Sequence, residues 1–138
     1  TAPPLPCPSF EDAIEAVQIG RAACAVIPIE NSLHGRVADI HFLLPESGLS
    51  IVAEHFVRVR HCLLAPGEMA ALHAVKSHVQ ALGQVRRHLR QWGLEPVQYF
   101  DTAAAAAAVA GDGDAAVGAI ASRLAAELYG LNILAEGI

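Results

Sequence analysis

The sequence predicts an α/β fold with mostly parallel sheets and flanking helices. Three observations point there. Short runs of small and β-branched residues alternate with stretches whose apolar residues recur at helical spacing. Glycines stand where those helical stretches would stop. Serine or threonine repeatedly follows an apolar run and precedes a helical one, the order of a strand-to-helix turn.

Taken in order, the opening TAPPLPCP is extended and proline-rich. Ser9 is placed to cap a helix, with Asp12 three residues on; Phe10, Ala13, Ile14 and Val17 share its face and Gly20 ends it. Ala23 to Ile29 reads as a buried strand. Gly35 to Leu44 carries Val37, Ile40 and Leu44 at helical spacing, closed by Pro45 and Gly48. Leu49 to Ala53 reads as the next strand. From Glu54 to Leu64 the chain stays extended, with Val57, Val59 and Leu63 on one side and Arg58 and Arg60 on the other. That length exceeds one ordinary strand and suits a passage between two lobes.

Ala74 to Lys76 is a short strand. Val79 to Trp92 reads as one helix with a stripe of Leu82, Val85, Leu89 and Trp92, stopped by Gly93. Leu94 to Phe100 is a strand that Pro96 assigns to an edge or a strand start. Thr102 reads as the cap of an alanine-rich helix ending at Gly111. Its six consecutive alanines favour helix and let a sheet approach closely. Ala115 to Ala121 is a strand, Ser122 caps a helix over Arg123 to Tyr129, Gly130 ends it, and Leu131 to Leu134 is the last strand.

With 138 residues, 54% of them hydrophobic, the chain can form one ordinary domain or two very small lobes. No apolar run approaches the roughly 20 residues of a membrane helix, and no basic, apolar leader opens the chain. The formal net charge of −5 argues against nucleic acid. It also means that an anionic ligand is held by local donors against the average field. Cys7, Cys24 and Cys62 are odd in number and widely spaced, which reads as reduced thiols in a cytoplasmic protein. The seven histidines form no HExxH and no zinc-type spacing with cysteine, so no metal site is expected.

Chemistry concentrates in two polar turns. In Ala23 to Ser32 (ACAVIPIENS), an apolar run ends in Glu30, Asn31 and Ser32. A carboxylate there would be partly buried and in need of partners, which Asn31 and Ser32 supply unless they cap the following helix. In Ser77 to Leu82 (SHVQAL), Ser77 stands at a strand-to-helix turn like Thr102 and Ser122. Helix starts offer free N–H groups and partial positive charge to carboxylate or phosphate; plain capping is the alternative. His78 adds a titratable donor and Gln80 an amide, which favours a site at Ser77, whereas Ser122 reads as capping alone. Asp112 and Asp114 around Gly113 read as a turn, Arg58 and Arg60 as a solvated face, and Arg21 and Arg36 have no role from spacing.

In combination, PIENS at Pro28 to Ser32, SHVQAL at Ser77 to Leu82, DTAAAA at Asp101 to Ala106 and ASRLAAELYGL at Ala121 to Leu131 resemble prephenate dehydratase in order and spacing. PCPSFEDAIEAV near the start is similar too, so the resemblance covers essentially the whole chain. It implies a two-lobed fold like the type 2 periplasmic binding proteins, with substrate in the cleft. Residues 1–56 would be an incomplete first lobe, 57–134 the second, and 135–138 the start of a return crossover. The implied reaction converts prephenate to phenylpyruvate with loss of water and carbon dioxide, on the route to phenylalanine, using no metal or organic cofactor. The implied catalytic residues are Glu30, Asn31, Ser32 and His78; Ser77, Gln80 and Thr102 would bind substrate.

The family pattern also has a GPxGT-like turn before this stretch and a TRF segment after it, and neither occurs in the 138 residues. The threonine of TRF is the family's principal catalytic residue and the arginine binds substrate carboxylate. A phenylalanine-binding regulatory domain often follows. The polypeptide on its own is therefore expected to be inactive or nearly so. Arogenate dehydratase and a non-catalytic module for small carboxylates or amino acids are the alternatives. A homo-oligomer with a small-molecule substrate, and with neither nucleic acid nor membrane as partner, completes the expectation.

Overall fold

A computed structural model describes residues 2–33 and 35–138. Thr1 of the extended opening and His34, one of the seven histidines, lie outside the described residues. The chain divides into two compact units, Thr1–Phe56 and Val57–Ile138.

In the first unit, helix α1 (Phe10–Gln18) starts as the sequence predicts, with the Ser9 hydroxyl accepting from the Asp12 N–H, and buries Ile14 and Ala16. Gly20 takes a left-handed φ of 74° just beyond it. Strands β1 (Glu30–Asn31) and β2 (Gly35–Arg36) pair antiparallel. Helix α2 (Ala38–Glu46) follows and buries Ile40. It contains Pro45 in its last turn, two residues later than the sequence suggests it would close. Gln18 Nε2 donates to the Ser47 carbonyl at 2.8 Å and ties the end of α1 to the end of α2.

The two apolar strands expected in this unit do not form. Ala23–Ile29 and Leu49–Ala53 take no strand structure, although the Ile29 carbonyl accepts from the Val37 N–H at 2.9 Å; Val26 is 95% exposed, and residues 51–60 are all exposed, Phe56 at 93%. β-propensity expresses packing on a half-buried sheet surface. Neither segment has a ladder partner among the described residues, so neither becomes a strand.

The second unit follows the sequence closely in the order of its elements, but its sheet is mixed and not mostly parallel as expected, because β3 pairs antiparallel on both sides. Among the described residues, five strands form one sheet in the order β5-β4-β6-β3-β7. They are β3 (Cys62–Ala65), β4 (Ala74–Ser77), β5 (Glu95–Gln98), β6 (Val117–Ala121) and β7 (Asn132–Glu136). β4 pairs parallel with β5 and β6, while β3 runs antiparallel to β6 and β7. β7 reaches two residues past the expected Leu134, so Ala135 and Glu136 pair with β3 and do not leave the sheet. β5, the strand with Pro96, is at the edge, where a missing N–H costs least.

Alternation along the central strands splits the core into two layers. Leu63, Ala65, Val75 and Ile120 face α3 (Val79–Gln84) and α4 (Arg86–Trp92), meeting Leu82, Val85 and Leu89. Cys62, Leu64, Ala119 and Ala121 face α5 (Thr102–Asp112) and α6 (Arg123–Tyr129), meeting Ala106, Val109, Ala125 and Ala126. β3 is buried at all four positions, as a strand covered on both faces must be. Each of its fully buried leucines contributes about 2 kcal/mol of apolar transfer.

The single helix expected over Val79–Trp92 is instead α3 and α4, separated at Val85 (φ −95°, ψ 7°). Gly83 and the β-branched Val85 weaken the turn there. The apolar stripe survives the break, because Val85 is fully buried between Leu82 and Leu89.

Cys62 is buried in this core. Burial pushes its thiol above the usual value and the Glu136 carboxylate adds to the rise, while the Gly137 backbone and Arg123 act the other way. The folded state therefore holds this proton more tightly than the unfolded chain does. This contribution to stability is complete below the free-thiol pKa of about 8.5 and falls away as pH rises through and above it. Urea titrations between pH 7 and pH 10 should show that decline in the native chain and a shallower one in Cys62→Ala.

Candidate functional site

In the second unit, the parallel strands β4, β5 and β6 end on one edge, and the starts of α3, α5 and α6 gather there. The connection leaving β4 runs to β5 on one side, and the connection leaving β5 returns to β6 on the other side of β4. The gap beyond the ends of β4 and β6 is thus a topological switch point, where α/β sheets bind ligands.

The caps differ from those the sequence suggests. Ser77 is the last residue of β4 and is fully buried, not the cap of α3. Its hydroxyl donates to the Ile120 carbonyl of β6 at 2.6 Å, continuing the link between the two strands one residue beyond the Lys76↔Ala119 pair. A hydroxyl whose proton is committed in this way retains only lone pairs, so it is no donor to a carboxylate. The cap of α3 is His78, whose Nδ1 accepts from the Gln80 N–H at 3.2 Å. Accepting at Nδ1 puts the neutral ring's proton on Nε2, which is then a hydrogen-bond donor. The cap of α5 is Asp101, accepting from the Ala104 N–H at 2.8 Å, and Thr102 is the first helical residue. This carboxylate occupies part of the helix start and leaves the Thr102 hydroxyl and the neighbouring first-turn N–H groups for a ligand. Ser122 caps α6 through the Ala125 N–H, as expected.

The second unit therefore brings Ser77, His78, Gln80 and Thr102 to one sheet edge, with His78, Gln80 and Thr102 offering polar atoms and Ser77 holding the strands together. Sequence reasoning missed Asp101 as a cap; the signal was present, since aspartate ranks above threonine at that position.

In the first unit, Glu30, Asn31 and Ser32 lie on and beside a short hairpin instead of the end of a buried strand. Glu30 is opposite Arg36 in the register and Asn31 opposite Gly35. Asn31 Oδ1 accepts from the Leu33 N–H at 2.9 Å, closing the turn. Glu30 and Ser32 are exposed and Asn31 half-buried. Glu30 is thus a solvated carboxylate and not the partly buried one expected. α2 is capped by Val37 without a side-chain bond, so neither Asn31 nor Ser32 caps it. Gly35 takes a φ of 75° in the return of the hairpin, a conformation that favours glycine.

The acidic turn begins later than expected: α5 runs through Gly111 to Asp112, Gly113 is left-handed at its end, and Asp114 Oδ1 accepts from the Ala116 N–H. Lys76 and Asp112 form an exposed ion pair at 3.3 Å. Among the described residues no group of three or more His, Cys, Asp or Glu is arranged to hold a metal ion, and no helix is long and apolar enough to cross a membrane.

Comparison with known proteins gives the family. The family model described as prephenate dehydratase matches residues 1–138. A bifunctional N-acyl-homoserine lactone acylase/prephenate dehydratase of Komagataeibacter europaeus is 52% identical over 97% of this chain and 48% of its own length. Arogenate dehydratase/prephenate dehydratase 1 of Arabidopsis thaliana, described as chloroplastic, is 44% identical over 97% of this chain and 35% of its own length. The chain thus spans half or less of the curated relatives it matches. Among solved structures, the prephenate dehydratase of Arthrobacter aurescens in complex with L-Phe superposes with a TM-score of 0.87 at 32% identity, over 97% of this chain and 46% of that one. A structure described as a quorum-quenching acylase superposes with a TM-score of 0.88 at 50% identity, over 97% of this chain and 50% of that one. The fold is α/β of the periplasmic-binding-protein-like kind found in these structures. With its full length matched, the chain belongs to the prephenate dehydratase family.

Proposed function

We propose that the protein containing these residues is a cytoplasmic carbon–oxygen lyase that converts prephenate to phenylpyruvate, acting as a homo-oligomer. Prephenate carries two carboxylates and a ring hydroxyl. Loss of the ring carboxylate as carbon dioxide supplies the electron pair that aromatises the ring as the hydroxyl leaves, and one proton from a donor turns that leaving group into water. Aromatisation provides the driving force, so the protein has to orient the diacid, exclude water and stabilise the departing oxygen.

The observation that carries this reading is the placement of His78, Gln80 and Thr102 at the starts of helices that leave the same sheet edge, in a chain matched throughout by this family. His78 is the proposed donor to the departing oxygen through Nε2. Gln80 and Thr102 bind carboxylate through amide, hydroxyl and first-turn N–H groups. Glu30, Asn31 and Ser32 are the proposed catalytic contribution of the first unit. Ser77 acts by holding β4 to β6 beneath His78, not by touching the substrate.

The test is to incubate the full-length protein with prephenate and with arogenate, and to follow phenylpyruvate and phenylalanine. Phenylpyruvate formed from prephenate supports the proposal; phenylalanine formed only from arogenate moves it to the amino substrate; binding without turnover supports a carrier. The 138 residues alone should turn over prephenate at least about 10²-fold more slowly, because imperfect positioning of binding groups costs factors of that order. Their hairpin with Glu30 is flanked by segments with no strand partner among the described residues. Acyl-homoserine lactone hydrolysis is a second reading, favoured by the 52% identical relative. Release of homoserine lactone, with no phenylpyruvate formed from prephenate, would establish it in place of the first.

A further inference from the structure

The proposed reaction leaves the buried, ionisable side chain of His61 without a role. It is the first buried residue after eleven consecutive exposed ones, at the entrance to β3. Its Nε2 stands 2.6 Å from Oε1 of Gln84, the last residue of α3. Its carbonyl accepts from the Ile138 N–H at 3.2 Å, so the main chain entering β3 is tied to the segment that follows β7. His61 therefore sits in a fixed backbone and reaches across to α3.

α3 needs such an anchor. It has six residues, and at Val85 the φ and ψ angles leave helical values, although the Val85 N–H still donates to the Ala81 carbonyl and the Leu89 N–H to the Val85 carbonyl, both at 3.1 Å. A helix that short depends on tertiary contacts for its orientation. At its start, His78 caps it directly after Ser77, whose hydroxyl is fastened to Ile120. At its end, Gln84 meets His61. Between these two fixed points, Ala81 and Leu82 are buried while Val79 and Gly83 remain exposed. The aim of the His78 ring and the Gln80 amide depends on the orientation of this one short helix.

We propose that His61 is a positioning residue for the dehydratase site, which holds α3 through Gln84 and thereby sets where His78 and Gln80 point. The inference rests on the dehydratase reading for its consequence in activity, but the anchoring itself is testable without substrate. A glutamine side chain places its amide nitrogen close to where histidine places Nε2, so His61→Gln can keep the bond to Gln84. An asparagine is too short, and a leucine has no donor.

The experiment uses the full-length protein and four variants: His61→Leu, His61→Asn, His61→Gln and, from the other side, Gln84→Leu. Amide hydrogen exchange is read at Gln80 and Leu82 in α3 and at the amides of β3 and β6, and kcat and KM for prephenate are measured on folded samples. In His61→Leu, His61→Asn and Gln84→Leu, exchange should quicken about tenfold or more at Gln80 and Leu82 while β3 and β6 hold their protection. kcat/KM should fall by a factor on the order of 10 to 10², with His61→Gln near the native values of both. Faster exchange spread evenly over β3, β6 and α3 would overturn the proposal, because His61 would then serve only the core. Loosened α3 amides with unchanged kcat/KM would overturn it as well. Should His61→Leu fail to fold, Gln84→Leu decides, since that side chain is only half-buried. A native protein that leaves prephenate untouched counts against the dehydratase reading, while the exchange pattern still decides whether the anchor exists.

Discussion

Gly118→Ala should destabilise the second unit by about 3 kcal/mol. A Cβ on this residue would lie 2.7 Å from the Leu64 carbonyl oxygen of the neighbouring strand and 3.3 Å from the Leu72 side chain. The first contact is with backbone, in a strand buried at every position and paired on both sides, so it has nowhere to retreat. Separating β3 from β6 would stretch the ladder through Leu63↔Ile120 and Leu64↔Ala119. Gly83→Ala is the matched control. A Cβ there meets nothing within 4 Å, and the residue is helical and exposed. Alanine should gain about 0.5–1 kcal/mol at that position by removing backbone freedom from the unfolded chain. Urea denaturation of the two variants in parallel should move the midpoints in opposite directions; a Gly118→Ala protein as stable as the native one would mean that β3 and β6 are not locked as described.

The same contrast between paired and unpaired strands explains how far the fold was legible in the sequence. The second unit was readable because each of its apolar runs finds neighbours nearby. Cys62–Ala65 is covered by α3 and α4 on one face and by α5 and α6 on the other, and the alanines of α5 sit against the alanines of β6. There local pattern and tertiary packing agree, and α6 begins and ends at the predicted residues. In the first unit, Ala23–Ile29 has the composition of a strand and no ladder to join among the described residues. A periodicity reports that a segment is suited to burial; it does not report what buries it. The division of Val79–Trp92 was illegible for a related reason, since Val85 keeps its place on the apolar stripe while its backbone turns.

For the site, the sequence marked the correct turns and assigned some of the atoms wrongly. Serine before a helix reads as a cap, yet one more residue of β4 carries Ser77 into the core, and His78 takes the capping position. At α5 the aspartate one residue earlier won over threonine. Strand ends are uncertain by a residue, and one residue decides whether a side chain faces a ligand or a neighbouring strand. Glu30 was displaced for a different reason: Asn31 closes a turn with the Leu33 N–H, which makes a hairpin where a strand end was expected.

Among the residues of this chain, a large functional effect should come from His78→Ala in the full-length protein, with kcat/KM for prephenate reduced about 10²-fold and mainly through kcat. Two properties of the ring are lost together. As a cap, its Nδ1 holds the Gln80 N–H, and removing a cap costs about 1 kcal/mol of stability. As the proposed donor, its Nε2–H meets the departing oxygen, an interaction stronger in the transition state than in the ground state. His78→Asn separates the two. Asparagine is among the best capping residues, so it restores the bond to Gln80, but its amide does not reach where Nε2 was. His78→Asn should therefore recover the thermal midpoint of the native protein and leave kcat close to that of His78→Ala. A His78→Asn enzyme with near-native kcat would mean that the imidazole acts only by holding α3 in place, and that the donor to the leaving hydroxyl is another group. Thr102→Val adds a comparison at the same edge. It leaves the Asp101 cap intact and removes a hydroxyl proposed to bind carboxylate, so it should raise KM about tenfold with little change in kcat.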